Sequence, residues 1–235
     1  MQGTNTPFRD VLEFLSHAKV WRCVPSGYMH AGGSADLIPM GTFPQREVDP
    51  ATLPVRLAGD CGRTLDISHW SDGSSRWDSK LYAGKQSGPD IVSQMLTGGR
   101  HTKGIADLWK ENAADVVADP LGVVTPMGGS SFKFDARKAW TSIDAGYSPD
   151  AQHHAIDASP VLELLAAIGL EHARPDKYEG RQVRYAAWGG FAPPALARAA
   201  LGGAKVGLLI RVFRFELGMS GKNKVVTFAQ EEAST

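Results

Sequence analysis

The sequence has few cysteines and no long apolar run. Only Cys23 and Cys61 occur among 235 residues, too few for a disulfide framework or a cysteine-rich zinc site. No apolar stretch approaches the roughly 20 residues that cross a bilayer, and residues 1–10 lack the basic and apolar regions of a signal peptide. We therefore expect a cytoplasmic protein with no membrane partner.

The sequence also lacks net charge, since 25 basic residues balance 25 acidic ones. A protein that binds nucleic acid alone usually carries a positive excess. The charge is nevertheless uneven, because ten basic and only three acidic residues lie from Arg174 to Lys224. This pattern favours either a basic face on a subunit that shares its nucleic acid with partners, or charges scattered over a solvated surface.

Familiar catalytic motifs are missing as well. The sequence has no Gly-x-Ser-x-Gly elbow, phosphate-binding loop or His-Glu-x-x-His. Asp66, His69 and Asp72 lie close together and offer ligands that suit a divalent cation. They fall on a strand end and a loop, where side chains diverge, so we expect no catalytic residue, metal or cofactor. A small metal-dependent hydrolase using these three residues is the alternative function.

The composition, with 43% hydrophobic and 21% charged residues, is that of an ordinary globular protein. Alternating strand and helix signals predict an α+β fold, a single compact domain with a mainly antiparallel sheet and packed helices. Residues 1–54 are predicted as an N-terminal helix and loop-rich region, residues 55–232 as the core, and residues 233–235 as a frayed tail. Fraying is expected to begin at about Gln230.

Apolar spacing and breakers predict the elements before residue 130. Phe8–Val20 has the periodicity of an amphipathic helix. Val55–Gly59 and Arg63–Ile67 alternate around a turn and predict a hairpin. Further helices are predicted from Ile91 to the pair Gly98-Gly99, and from Ile105 to Val117, which Pro120 follows.

The stretch from Phe132 to Pro175 predicts a unit that builds the core. Phe132–Asp135 alternates like a half-buried strand. A helix follows, with Ser159 as its cap and Leu165 on its apolar face. Gly169 is expected to end this helix in a left-handed conformation.

The C-terminal part predicts a strand, a short helix and a hairpin. The strand is Gln182–Trp188, and the helix begins at Pro193-Pro194 and ends at Gly202-Gly203. A long strand from Val206 to Leu217 has apolar residues of both parities, which predicts a β-bulge near Val212. Val225–Phe228 is predicted as its hairpin partner.

A loop from Arg76 to Gln86 alternates cations with aromatic side chains. Lysine and arginine contact phosphates, tyrosine or tryptophan can stack on a splayed base, and an amide can read a base edge. The alternative to nucleic-acid binding is a structural role, in which this aromatic loop packs on the sheet. The candidate nucleic-acid contacts in the loop and in the basic C-terminal segment are Arg76, Lys80, Tyr82, Lys85, Gln86, Arg181, Arg184, Arg211, Arg214, Lys222 and Lys224.

Several segments together resemble one CRISPR family, the type I-U family of Cascade subunits. They are Leu65–Trp70, Lys80–Gln86, Phe132–Arg137, Ile143–Asp150, Pro160–Leu170, Arg174-Pro175, Arg184–Trp188 and Phe213–Phe215. The resemblance runs from about Leu57 to Glu232. It departs at Tyr82, where the family pattern has tryptophan, and at Lys85, where it has glutamine.

The resemblance implies a non-catalytic subunit of an RNA-guided surveillance complex, or Cascade, in antiviral defence. Such a subunit helps to hold crRNA and target DNA and can sense the short flanking motif. The implied partners are the other Cascade subunits, crRNA, target DNA and a recruited helicase-nuclease that cuts.

Overall fold

The chain forms helices and mainly antiparallel sheets, which confirms the α+β prediction. Its α-carbon contacts divide it into a first unit, Met1–Ala167, and a second unit, Ile168–Thr235. The boundary predicted after residue 54 stays a prediction. No helix in the described part of the chain is long and apolar enough to cross a membrane. The computed structural model describes residues 7–28, 37–40, 53–60, 62–68, 87–99, 101–127, 131–137, 152, 155–173, 175–189, 192–204, 206–207, 210–220 and 223–232.

A four-stranded sheet lies in the first unit, with strand order β2-β1-β3-β4. The β1–β2 pair is parallel, and the other two pairs are antiparallel. The predicted hairpin is confirmed as β3–β4, in which Val55 faces Ile67. The strands are β1 (Lys19–Pro25), β2 (Leu37–Met40), β3 (Val55–Ala58) and β4 (Thr64–Ile67).

Three helices surround the core of the first unit: α1 (Pro7–His17), α2 (Gly88–Thr97) and α3 (Ile105–Ala118). All three were predicted. Helix α1 ends earlier than expected, because Lys19 and Val20 already pair with β3. Helix α1 packs against α3, and α2 packs against α3 and β1. The buried leucine, isoleucine, valine and methionine side chains of these elements form one apolar core.

The predicted strand at Phe132–Asp135 is wrong. Residues 131–137 form an irregular loop in the chain between β5 (Thr125–Met127) and β6 (Ile156–Ala158), which pair as a short antiparallel ladder. Lys133 has φ of 63°, the left-handed region, which interrupts any strand. The rings of Phe132 and Phe134 stack at 5.4 Å.

A buried carboxylate, that of Glu163, organises this loop. Glu163 is completely buried. It accepts hydrogen bonds from the backbone N–H of Asp135 (2.8 Å) and from the hydroxyl of Ser131 (3.1 Å). Burial raises the pKa of Glu163 above its usual value, while these hydrogen bonds and those of the Phe132 and Phe134 backbone act in the opposite direction.

A second buried carboxylate, that of Asp135, ties the loop to the next helix. It accepts from the backbone N–H of Ser159 (2.8 Å) and from the Arg137 guanidinium (2.7 Å). Burial alone would raise the pKa of Asp135, but the bonds from Arg137 and Ser159 outweigh burial and lower it. Arg137 also donates to the carbonyl oxygen of Leu121 (2.8 Å). We call Asp135, Glu163 and these partners the buried acid cluster.

Helix α4 (Pro160–His172) carries Glu163 of the buried acid cluster in its first turn. Ser159 caps it as predicted, since its hydroxyl accepts from the backbone N–H of Leu162 (3.2 Å). Gly169 does not end the helix, because Ala173 continues the hydrogen-bond ladder by donating to Gly169 (2.9 Å). Leu164 is fully buried, whereas Leu165, predicted to be core, is only half-buried.

The second unit contains an antiparallel sheet with the order β10-β9-β8-β7, and β11 also pairs with β9. The predicted strand Gln182–Trp188 and the predicted alanine-rich helix are confirmed. The β9–β10 hairpin is also confirmed, with its turn shifted by about two residues. The elements are β7 (Asp176–Glu179), β8 (Gln182–Trp188), α5 (Pro194–Leu201), β9 (Ile210–Ser220), β10 (Asn223–Val226) and β11 (Gln230–Glu231).

The predicted bulge near Val212 is absent from the β8–β9 ladder. Its register is continuous, and Val212 faces Ala186 while Phe213 faces Tyr185. Apolar residues of both parities occur because both faces of this strand pair carry packed side chains. The irregular register lies instead in β7, between Lys177 and Glu179.

The prediction that the chain frays from Gln230 is also wrong for the described residues. Gln230 and Glu231 form β11 and pair with Arg214 and Phe213 of β9. The backbone N–H of Glu232 then donates to the carbonyl oxygen of Val212 (2.8 Å). Residues 233–235, the predicted tail, lie outside the described residues.

Candidate nucleic-acid interface

Two neighbouring strands carry or adjoin four of the predicted arginines, and two of these share one face. Arg184 of β8 faces Arg214 of β9 directly, whereas Arg211, which faces Ala187, lies on the opposite face of the strand pair. Arg181 immediately precedes β8. Residues directly opposite each other in an antiparallel pair have Cβ atoms about 5 Å apart, so Arg184 and Arg214 form a like-charge pair.

Carboxylates of the second unit compensate three of these arginines. The ion pairs are Arg181–Glu216 (2.9 Å), Arg184–Glu232 (3.0 Å) and Arg211–Glu231 (2.7 Å). Water screens exposed pairs of this kind, and they contribute little to stability. The positive excess read from residues 174–224 is therefore partly offset by two acids just beyond that segment.

Arg211 has the most complete set of contacts. Its guanidinium donates two hydrogen bonds to Glu231 (2.8 and 2.7 Å) and lies 5.1 Å from the ring centroid of Phe213. The hydrogen bonds and charge of Glu231 raise the pKa of Arg211, and Arg211 lowers the pKa of Glu231. Stacking on an aromatic face and bidentate pairing are the two contacts by which arginine also recognises nucleotides.

Arg214 differs from the other three. It is exposed, and within the described residues no carboxylate lies at ion-pair distance from it. It opens onto a groove of about 660 Å³, which we call the Arg214 groove. The groove is lined by Glu179, Arg181, Gln182, Arg214, Phe215, Glu216, Thr227, Phe228 and Gln230.

The opposite parity of the β8–β9 pair carries aromatic rings. Tyr185 and Phe213 stack at 5.4 Å, and Phe215 is tilted against Tyr185 at 6.1 Å. All three rings are half-buried. This cluster packs on the face opposite to Arg184 and Arg214.

The other predicted contacts lie on β10 or outside the described residues. Lys224 lies on β10, where its backbone pairs with Met219. The remaining six, including the whole aromatic and basic loop, lie outside the described residues: Arg76, Lys80, Tyr82, Lys85, Gln86 and Lys222.

The alternative metal site is represented by Asp66 alone. Arg56, directly opposite on β3, donates two hydrogen bonds of 2.7 Å to the Asp66 carboxylate. His69 and Asp72 lie outside the described residues, and within those residues no three potential ligands cluster. Nearby, burial and then the charge of Asp66 raise the pKa of the Cys23 thiol to about 11, so this cysteine stays protonated at neutral pH.

Three residues of the C-terminal segment are not among the contacts predicted from the sequence: Phe228, Glu231 and Glu232. The pattern predicts a fraying tail at Glu231 and Glu232 and a hairpin strand at Phe228. Phe228 is 76% exposed, and its place beside the amide-bearing Gln230 was the available signal.

Searches against protein-family models, curated proteins and solved structures find no match to this chain.

Proposed function

We propose that this chain is a non-catalytic subunit of a type I CRISPR surveillance complex, where it helps to hold crRNA and target DNA. The observation that carries the proposal is the juxtaposition of Arg184 and Arg214 on one face of adjacent strands, with Arg181 just before β8 and Arg211 on the opposite face. The segmental sequence resemblance to type I-U Cascade subunits supplies the biological setting.

The ion pairing of these arginines suits a subunit that meets nucleic acid inside an assembly. Exposed carboxylates such as Glu216 and Glu231 hold the arginines in place when no phosphate is present. Phosphates can exchange with them, because screened surface pairs are weak. A formally neutral chain then binds nucleic acid only weakly on its own, and partner subunits strengthen the contact by presenting the strand.

In this proposal, guide pairing reads the target sequence, and the subunit steadies the paired and displaced strands beside the flanking motif. Its partners are the other Cascade subunits, crRNA and target DNA in the cytoplasm. A recruited helicase-nuclease performs the cut. A hydrolase centred on Asp66 is less well supported, because Arg56 already occupies both oxygens of that carboxylate.

The test is to purify the tagged full-length chain from its own cells and to sequence the RNA that stays bound. We expect spacer RNAs with repeat-derived flanks, together with other subunits in fixed ratio. Incubation with magnesium and DNA should give no cleavage by the chain alone. Recovery of a chain free of RNA and of other subunits would contradict the proposal.

A further inference from the structure

The charge on the β8–β9 pair is unbalanced at one row. Arg184 and Arg214 lie directly opposite each other, and like charges in this position destabilise a sheet. Glu232 pairs with Arg184 at 3.0 Å. On the other side Arg214 faces Gln230 of β11, which has no charge. Arg214 therefore keeps a positive charge that an anion can neutralise.

The cavity beside Arg214 is large enough for a small organic anion. Its volume of about 660 Å³ lies within the roughly 300–1,000 Å³ of sites that hold small ligands. Gln182 and Gln230 line it and offer amide donors and acceptors, which can pair with the edge of a nucleobase. Two carboxylates also line the groove: Glu216 pairs with Arg181 (2.9 Å), and Glu179 is the second. Arg214 is the cation of the groove left for an anion.

Phe228 adds an aromatic surface to the same groove. Its side chain is 76% exposed, the highest value of any large apolar residue described. An exposed ring beside a cation and amides suits a base that has left its stack, since stacking tolerates any base. Bases in a duplex are not available for such stacking.

We propose that the Arg214 groove binds one nucleotide of a single-stranded nucleic acid, with a phosphate at Arg214 and the base on Phe228. The inference rests on the proposed function and narrows the ligand of this groove to unpaired, single-stranded nucleic acid. The displaced strand of an RNA-guided complex has this chemistry.

The test measures binding of a fluorescein-labelled oligothymidylate of about 15 nucleotides, within the site size of known single-strand binders, to the isolated full-length chain over a salt series. We expect Arg214→Gln to weaken binding about tenfold at low salt, as for one lost hydrogen bond to a charged group. It should also reduce the slope of log affinity against log salt by about 0.7. Phe228→Ala should weaken binding about fivefold or more and leave the slope unchanged.

Matched variants control for charge and for exposed aromatic surface. Arg198→Gln removes one exposed cation of the second unit that lies on α5, outside the groove. Phe8→Ala removes an exposed ring on α1 of the first unit. Both should bind like the wild type. A duplex of the same length should bind more weakly and should not respond to Phe228→Ala.

Three results would overturn the inference. If the isolated chain binds the strand but Arg214→Gln and Phe228→Ala match their controls, the contact lies elsewhere and the proposed function survives. If thymidine monophosphate competes as well as the strand at equal concentration, the groove is a free-nucleotide site. If the isolated chain binds no strand at low salt, the groove is not a strand site, and the RNA recovered from cells decides the proposed function separately.

Discussion

Two acidic side chains of the first unit and two of the second have opposite surroundings. In the first unit, Asp135 and Glu163 are almost completely buried and accept hydrogen bonds from backbone N–H groups. In the second unit, Glu216 and Glu231 are exposed, and each pairs with an arginine across strands.

The contrast indicates different roles for the same chemical group. A buried carboxylate cannot leave its donors without stranding them away from water, which costs far more than the bond itself contributes. An exposed carboxylate can be replaced by another anion at little cost. The buried acid cluster therefore holds the architecture of the first unit, and the ion pairs of the second unit are suited to exchange with phosphate.

The largest expected effect comes from Asp135→Ala. The variant leaves the backbone N–H of Ser159 unpaired in the interior and removes the carboxylate that holds Arg137. We expect a loss of about 3 kcal/mol in the free energy of unfolding, measured by urea denaturation at neutral pH.

Asp157→Ala is the matched control, because Asp157 is an exposed carboxylate on β6 of the same unit. It should change stability by less than about 0.5 kcal/mol. Equal losses in the two variants would show that burial does not distinguish these acids.

The sequence predicted those elements that local patterns determine. Apolar periodicity and breakers located α2 and α3, and alternation around a glycine turn located the β3–β4 hairpin. Strand β8 was predicted with its observed bounds. In each of these segments the burial pattern agrees with the intrinsic preference of the residues.

The failures have a common cause, which is a partner distant in sequence. The alternation of Phe132–Asp135 indicates a strand, but Glu163 draws the loop backbone toward itself. The parity change in β9 indicated a bulge, whereas packing on both faces explains it. The sequence predicts a polar tail at Glu231 and Glu232. In the structure these two residues form ion pairs with Arg211 and Arg184. The candidate arginines were found from charge alone, but their pairing was not.

A second prediction sharpens the comparison through pH. Because burial raises the pKa of Glu163, the folded chain keeps this proton at pH values where the unfolded chain, with a pKa of about 4.3, has lost it. This group's contribution to stability therefore falls as the pH rises through that window. The glutamine of Glu163→Gln does not titrate. The free energy of unfolding of this variant should therefore rise relative to that of the wild type from about pH 4 upward.

The measurement is urea denaturation of both proteins at several pH values. The gain is limited to about 1.4 kcal/mol for each pH unit between the folded and unfolded pKa values. The lowered pKa of Asp135 acts with the opposite sign, but it is present in both proteins and cancels in the difference. A difference that stays constant with pH would mean that Glu163 does not titrate abnormally.

A third prediction uses an acid of intermediate exposure. The side chains of Arg56 and Asp66 are 30% and 40% exposed, and they pair across the β3–β4 hairpin. Asp66→Asn should reduce stability by roughly 0.5–1 kcal/mol in thermal or urea unfolding. If the wild type instead cleaves DNA with magnesium and this variant does not, the metal-dependent hydrolase replaces the non-catalytic subunit as the supported function.

The smallest effect on stability is expected for Glu231→Gln, and there the change should appear in binding instead. The exposed pair with Arg211 contributes little to folding, so the melting temperature should match that of the wild type. Loss of the acid releases the Arg211 guanidinium, which remains stacked on Phe213, for a phosphate. Single-strand affinity should rise about two- to fivefold at low salt, and the salt slope should steepen by up to about 0.7.

Glu111→Gln, which breaks the equally exposed Lys103–Glu111 pair of the first unit, removes the same charge and should leave binding unchanged. Equal gains in single-strand affinity for both variants would show that the effect comes from net charge alone. The ion pairs of the second unit would then not differ from those of the first in their exchange with phosphate.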